Sequence, residues 1–392
     1  MLRENKKIIF FCALIFFLIF GIYNSIFFYD FYIIDDHALA NLLGPDRYFS
    51  LEDFKLYVSD AYDEFKSFKY RFFLLQKIFI GIELLIFQDN LNFFYFNRFI
   101  IVCIFFIILF IYSSKLIGQY LSLILLLIFI SSRSTGDILT RIFTGEIITL
   151  AVLIFLIPIT FKIISAYKNY NFSKELSKLD LFIYFISFNL LILSKENTLV
   201  FLIFPIIFIY LYLKNKIDGK FFFIINILNI FLGICYFFYI YFVVEANIDL
   251  YSTGVLKGLL NPDFYNISRL IYKFIKYIFL NYFIHIFILS YVYFYLRKDI
   301  DLIKHFIILL ISSLIIFSQF LIYDANLPSN MRYDNIIELL FYFNSLYLIL
   351  FLKHKNIFFK RYKALNIFII FLIIFSFSKL PNLSIIYKNV EQ

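Results

Sequence analysis

This chain predicts an all-α, polytopic transmembrane helical bundle, and three observations carry that prediction. Over 392 residues it is 63% hydrophobic and only 16% charged, with 59 Phe, 32 Tyr and a mean hydropathy of +0.87. Apolar runs of about 20 residues recur along it, the length a helix needs to cross a hydrocarbon layer of about 30 Å with its backbone polar groups satisfied internally. Short polar links separate the runs, and Lys and Arg crowd into alternate links.

The first run, 8–28, follows Arg3, Lys6 and Lys7. Its exit, Gly21-Ile22-Tyr23-Asn24-Ser25-Ile26-Phe27-Phe28, offers no small-residue cleavage site, so it reads as an uncleaved signal anchor with a cytoplasmic N-terminus. Residues 29–77 are then the first extracytoplasmic loop. It holds nine acids: Asp30, Asp35, Asp36, Asp46, Glu52, Asp53, Asp60, Asp63 and Glu64. Within it, 50–79 places Phe54, Tyr57, Val58, Ala61, Tyr62 and Phe65 at helical spacing. That pattern predicts a juxtamembrane amphipathic helix along the outer interface, capped by Ser50 or Asp53.

Further runs fall near 97–112, 116–131, 142–161, 181–193, 198–213, 221–243, 274–296, 305–322, 336–352 and 364–378, giving about eleven spans. Nineteen of the 36 Lys and Arg residues lie in the six short links this alternation assigns to the cytoplasm. The positive-inside bias therefore supports the orientation. Runs 181–193 and 198–213 are read as two helices. Merging them would turn Lys353, Lys355, Lys360, Arg361 and Lys363 outward, against that bias. Thirteen residues reach only about 20 Å, so the link Ser194-Lys195-Glu196-Asn197 is expected below the outer membrane surface.

The whole chain, 1–392, reads as a single transmembrane domain. Its net charge of +9 is concentrated at the cytoplasmic face, where anionic lipid accounts for it without nucleic acid. Cys12, Cys103 and Cys235 all fall inside predicted spans, so no disulfide framework is implied. The sequence shows no internal repeat, Gly-rich phosphate loop, Cys pair or His-x-x-Glu-His zinc pattern.

Four constellations fall on the outer side. Asp35-Asp36-His37 follows the first span, and a carboxylate pair there can act as a general base or, with the histidine, bind a divalent cation. Arg141-Ile142-Phe143-Thr144-Gly145-Glu146 puts Glu146 about one turn inside the fourth span, which demands a partner: Arg141, Lys195 or a ligand. An interhelical ion pair is the competing account of it. Lys195-Glu196 fits either a self-satisfied turn or a point charge for a phosphate. Arg332-Tyr333 precedes the tenth span, where an arginine either anchors at headgroups or forks on to a phosphate.

Taken in order, these features resemble the GT-C class of integral-membrane glycosyltransferases, which use polyprenyl-phosphate-linked sugars. Asp35-Asp36 matches the acidic pair that class carries in its first outer loop. Thr144-Gly145-Glu146 matches an Arg-x-Glu-like signature of the mannosyl-transfer branches only at the Glu, while Lys195-Glu196 and Arg332-Tyr333 match a Lys-Glu and an Arg-Tyr pair. The resemblance implies that Asp35 or Asp36 deprotonates the acceptor hydroxyl, with Lys195, Arg332, Tyr333 and Arg141 holding the donor phosphate. His37, Glu146 and Glu196 support them. It implies a polyprenyl-phosphate-sugar donor, a glycan, lipid or protein acceptor, and residence in a bacterial inner membrane. It leaves a metal open, with Asp35, Asp36 and His37 as the ligands if one is bound.

Two other classes compete. An envelope polysaccharide polymerase or ligase resembles its relatives in a large, late outer loop rich in Arg and His, whereas residues 244–273 hold only Lys257, Arg269 and Lys273. A lipid-linked glycan flippase or transporter favours midplane charges and paired Gly/Pro-broken helices; this chain has 10 Gly, 6 Pro and no repeat.

Overall fold

The computed structural model describes residues 2–24, 41–66, 74–139, 145–169, 176–194, 196–215 and 219–239, together with residues 268, 272, 336, 338, 339, 342, 343, 345 and 346. Among them the regular structure is entirely helical. In chain order the helices are α1 (Leu2–Tyr23), α2 (Leu51–Lys66), α3 (Leu74–Phe87), α4 (Leu91–Ile117), α5 (Gln119–Ile130), α6 (Arg133–Leu139), α7 (Glu146–Asn169) and α8 (Lys178–Ser194). A 3-10 helix (Glu196–Leu202), α9 (Ile203–Asn215) and α10 (Lys220–Phe238) follow.

Three of these, Leu91–Ile117, Glu146–Ile163 and Lys220–Phe238, are long and apolar enough to cross a membrane. Apolar side chains such as Phe221, Phe231 and Phe238 stand exposed along α10. Hydrocarbon is the solvent that suits such a face, so these helices point to a multi-pass membrane protein. Cys12, Cys103 and Cys235 lie in α1, α4 and α10 as free thiols.

The chain divides into two compact units. The first comprises Met1–Tyr23, Ser113–Asp137 and Leu250–Gln392. Here α1 and α5 run parallel. Phe11, midway along α1, meets Tyr120 at the start of α5 edge-on at 5.9 Å, and the Tyr23 hydroxyl donates to the Ile130 carbonyl over 2.7 Å at their ends. The described residues between 336 and 346 are helical and bury Ile336, Leu339, Tyr342 and Leu346, a three-four spacing that lays one face inward. Tyr342 donates to Ser113 over 2.9 Å, and Ser113 shares a short hydrogen bond with Ser122.

The second unit comprises Asn24–Tyr112 and Ile138–Asp249. The expected capping of the loop helix is present in full. Ser50 donates from its amide and its hydroxyl to Asp53, over 2.8 and 2.6 Å, and the Asp53 amide returns a bond to the Ser50 hydroxyl oxygen over 3.2 Å. These bonds hold the Asp53 carboxyl below the usual carboxylate range. The described part of this helix is Leu51–Lys66, residues 67–73 lie outside the described residues, and a second helix, α3, occupies 74–87. The two pack together because Gly81 lets the Phe54 ring settle on the α3 backbone. A Cβ at that position would stand only 2.6 Å from the ring.

Side-chain contacts fix the helix directions in this unit. At one end of the α7–α8 pair the Thr149 and Ser194 hydroxyls lie 2.9 Å apart; at the other, Lys162 donates to Asp180 over 2.6 Å. The two helices are therefore antiparallel. Tyr184 donates to Asn226 and Asn189 to Asn229, each over 2.9 Å, so α8 and α10 are parallel. Phe208 meets Phe222, Tyr212 stacks on Phe223, and Leu202 lies over Gly233, so α9 is antiparallel to α10. The chain thus reverses between α8 and α9, and the two runs are separate helices. The Thr198 hydroxyl closes this reversal by donating back to the Leu191 and Ile192 carbonyls over 2.6 and 3.2 Å, which terminates α8.

Helix α8 starts three residues before its apolar run. Ser177 and Asp180 form a second reciprocal cap, with bonds of 3.0, 2.8 and 3.1 Å. Partial burial opposes ionisation of Asp180, but the hydrogen bonds from Lys162 and Ser177 and the Lys162 charge prevail and lower its carboxyl pKa.

Candidate functional site

The described parts of two of the four constellations, Gly145-Glu146 and Ser194 with Glu196, lie at the junction of α7, α8 and the 3-10 helix. The register of α7 corrects one expectation. The helix begins at Glu146 rather than a turn earlier, so this carboxylate stands in the first turn, where the aligned peptide N–H groups favour negative charge. It is buried, at 1% exposure. The Gly145 carbonyl opens the helix by accepting the Thr149 amide over 3.2 Å, and the Thr149 hydroxyl faces Ser194. Ser194 also donates to the Leu191 carbonyl over 2.7 Å. Thr149, Ser194 and Thr198 are all buried; the Thr149–Ser194 pair fastens the start of α7 to the end of α8, and Thr198 ties the 3-10 helix back to that same end.

That fastening brings Gly145-Glu146 together with Ser194 and Glu196, 49 and 50 residues along the chain in sequence terms but neighbours at one helix-pair end. Glu196 is the first residue of the 3-10 helix. Lys195 and Arg141 flank this junction in sequence and lie outside the described residues, as do Asp35, Asp36, His37, Arg332 and Tyr333. The chemistry the junction offers is a buried carboxylate as hydrogen-bond acceptor beside hydroxyls that both donate and accept. No group of three or more His, Cys, Asp or Glu gathers among the described residues.

A buried ion pair in the same unit escaped the sequence reading. Arg98, wholly buried in α4, grips Glu83 of α3 with both terminal nitrogens; the Nη2 to Oε2 bond is 2.6 Å, and Asn97 adds another of 2.6 Å to Oε1. The guanidinium also lies 5.6 Å from the centre of the Phe79 ring. A signal was present. Glu83 is the lone acid of the apolar run 78–87, and Gln88-Asp89-Asn90 forms a turn that folds 97–98 back opposite it. Gln88 takes a positive φ of 52° there and docks the loop, accepting the Phe49 amide over 2.7 Å and donating to the Phe49 carbonyl over 3.2 Å.

The first unit holds a separate polar cluster. Glu338 shares a short hydrogen bond with Ser134, which lies 3.0 Å from the Ser132 hydroxyl. Comparison with known protein families, with curated proteins and with solved structures finds no match for this chain.

Proposed function

We propose that this chain is an integral-membrane glycosyltransferase that moves a sugar from a polyprenyl-phosphate donor to an acceptor hydroxyl on the extracytoplasmic face. The observation that supports it most is the Thr149–Ser194 contact, which sets the start of α7, with Glu146, beside Ser194 at the end of α8, the residue before Lys195 in sequence, because a sugar-phosphate site needs acceptors for hydroxyls and a cation for phosphate within one locality. In this reading Asp35 or Asp36 takes the proton of the acceptor hydroxyl, whose oxygen attacks the anomeric carbon from the face opposite the phosphate. The bond from that carbon to the phosphate oxygen breaks with inversion, and the electron pair leaves with the lipid phosphate. Lys195, Arg332, Tyr333 and Arg141 hold that departing charge, while Glu146 and Glu196 orient sugar hydroxyls or the lysine. His37 stands beside the base, as a partner to the aspartates or as a ligand with them for a divalent cation.

The test is transfer from a labelled polyprenyl-phosphate sugar in membranes carrying Asp35→Asn or Asp36→Asn. Loss of a general base is expected to slow transfer about 100- to 10,000-fold in one of the two variants. Full transfer by both would remove the aspartates from the reaction. Movement of the intact donor across the bilayer without bond cleavage would mark a transporter instead.

A further inference from the structure

The 3-10 helix between α8 and α9 is long for its kind. Glu196–Leu202 spans seven residues, whereas runs beyond three or four are uncommon because their hydrogen bonds are poorly aligned. It leads straight into α9 at Ile203, so some feature must stop it from rewinding as an extension of that α-helix. Pro205 is that feature. As the third residue of α9 it stands in the first turn, where a missing N–H leaves no intrahelical bond unmade. An α-helix continued back through 196–202 would put Pro205 in its interior, unable to donate to the Phe201 carbonyl and with its ring pressed on that oxygen. The tighter winding, in which bonds join residues three apart, gives the Phe201 carbonyl to the Phe204 amide instead.

The packing follows the same winding. Residues three apart eclipse in a 3-10 helix, and Thr198 and Phe201 form one such row, both buried. The row continues into α9 at Pro205 and Phe208, also buried, with the steps of four and three that an α-helix requires. Each end of the segment is pinned. The Thr198 hydroxyl donates to the Leu191 and Ile192 carbonyls over 2.6 and 3.2 Å, and Leu202 lies so close over Gly233 of α10 that a Cβ there would stand 2.4 Å from its Cδ2. Rewinding these seven residues as α-helix would shorten the segment by about 3.5 Å and turn its first residue by about 140° relative to α9. Thr198 would then leave the α8 carbonyls, and the reversal that starts at Ser194 would lose its place beside the start of α7.

We infer that Pro205 and the Thr198 hydroxyl are positioning residues for the phosphate of the lipid donor, an inference that rests on the reading of Lys195 as a phosphate-holding cation. Pro205 keeps 196–202 in the 3-10 form, and Thr198 ties that form to the end of α8. Together they set the place of Lys195, which lies between Ser194 and Glu196 in sequence, at the α8 end that Thr149 holds against α7.

The experiment measures binding of radiolabelled polyprenyl phosphate, and of the matching polyprenol without its phosphate, to the full chain in nanodiscs. Pro205→Ala and Thr198→Val are each expected to weaken polyprenyl phosphate binding about tenfold and to leave polyprenol binding unchanged. Thr198→Ser, which keeps the hydroxyl, should bind both lipids as the wild type does. Nitroxides at positions 197 and 210 should draw together by about 3 Å in Pro205→Ala, as the segment rewinds. An unchanged 197–210 distance, unchanged phosphate affinity, or an equal loss for both lipids would each overturn the inference. If Pro205→Ala fails to fold, the contrast between Thr198→Val and Thr198→Ser decides it. Wild type that binds polyprenyl phosphate but transfers no sugar would remove the glycosyltransferase reading and leave this one standing; wild type that does not bind it would overturn this one.

Discussion

Glu83 and Arg98 close a bidentate pair where neither side chain reaches water, and the value of such a pair lies in its completeness. Removing one member leaves the other charged and buried, so Glu83→Ala or Arg98→Met is expected to lose about 3–5 kcal/mol of stability. The double variant Glu83→Leu/Arg98→Met should recover most of that loss, as read by thermal unfolding in detergent. A double variant no better than either single one would show that the pair is not the reason the singles fail. Asp180 makes the opposite kind of contribution, exposed to pH. Its carboxyl pKa is lowered in the folded chain, so its stabilisation is fully present above the unfolded carboxylate range and is lost as pH falls through the lowered value. The stability advantage of wild type over Asp180→Asn should therefore be constant near neutrality and disappear in acid. Residue-level chemistry was partly legible beforehand. Ser50 and Asp53 announced their cap because a hydroxyl three residues before a carboxylate has a local partner. Arg98 did not, since its partner arrives only once the Gln88-Asp89-Asn90 turn has folded.

At the scale of elements, the apolar runs were readable as helices and their ends less so. Run 97–112 grew to the 27 residues of α4, because the polar ends Asn97 and Ser113 are held inside rather than left to solvent. Helix α3 went unread because 14 residues are too few to cross a membrane, although they are enough to pack against α2. That packing is testable at Gly81. Gly81→Leu should drive Phe54 off α3 and raise amide hydrogen exchange across α2, while α7, α8 and α10 keep their protection. Adding Phe54→Ala should restore α2, and failure to do so would locate its anchoring elsewhere. On α10, Asn226 and Asn229 lie on the buried face with Phe222, Gly233 and Tyr236. Their bonds to Tyr184 and Asn189 set the register of α8 against α10. Tyr184→Phe should lose about 0.6–2 kcal/mol, the range for a hydrogen bond between helices in a membrane. An unchanged melting temperature would assign that register to packing alone.

For the whole molecule, alternation is the property that organises everything else. Contacts in the second unit join α7 to α8 and α9 to α10 as antiparallel pairs, which is what short links between consecutive helices produce. The orientation we propose rests on charge: Lys and Arg gather in the links it assigns to the cytoplasm, and it would put the acids of 29–77 on the other side. A single cysteine introduced at position 52 should react with an impermeant thiol reagent from outside intact cells, and one at position 216 only after the membrane is opened. The reverse pattern would invert the topology and remove Asp35 and Asp36 from the outer face. On this proposed orientation Glu146 and Ser194 would share the outer side with the first loop, and sugar transfer from a lipid carrier is the proposed reading that uses them all. The measurement that tests it most directly incubates the purified chain in liposomes with a sugar-labelled polyprenyl phosphate and a pool of membrane acceptors. Transfer of label from the lipid phosphate to an acceptor, lost on Glu146→Gln or Lys195→Ala, is the predicted result; quantitative recovery of intact donor would contradict it.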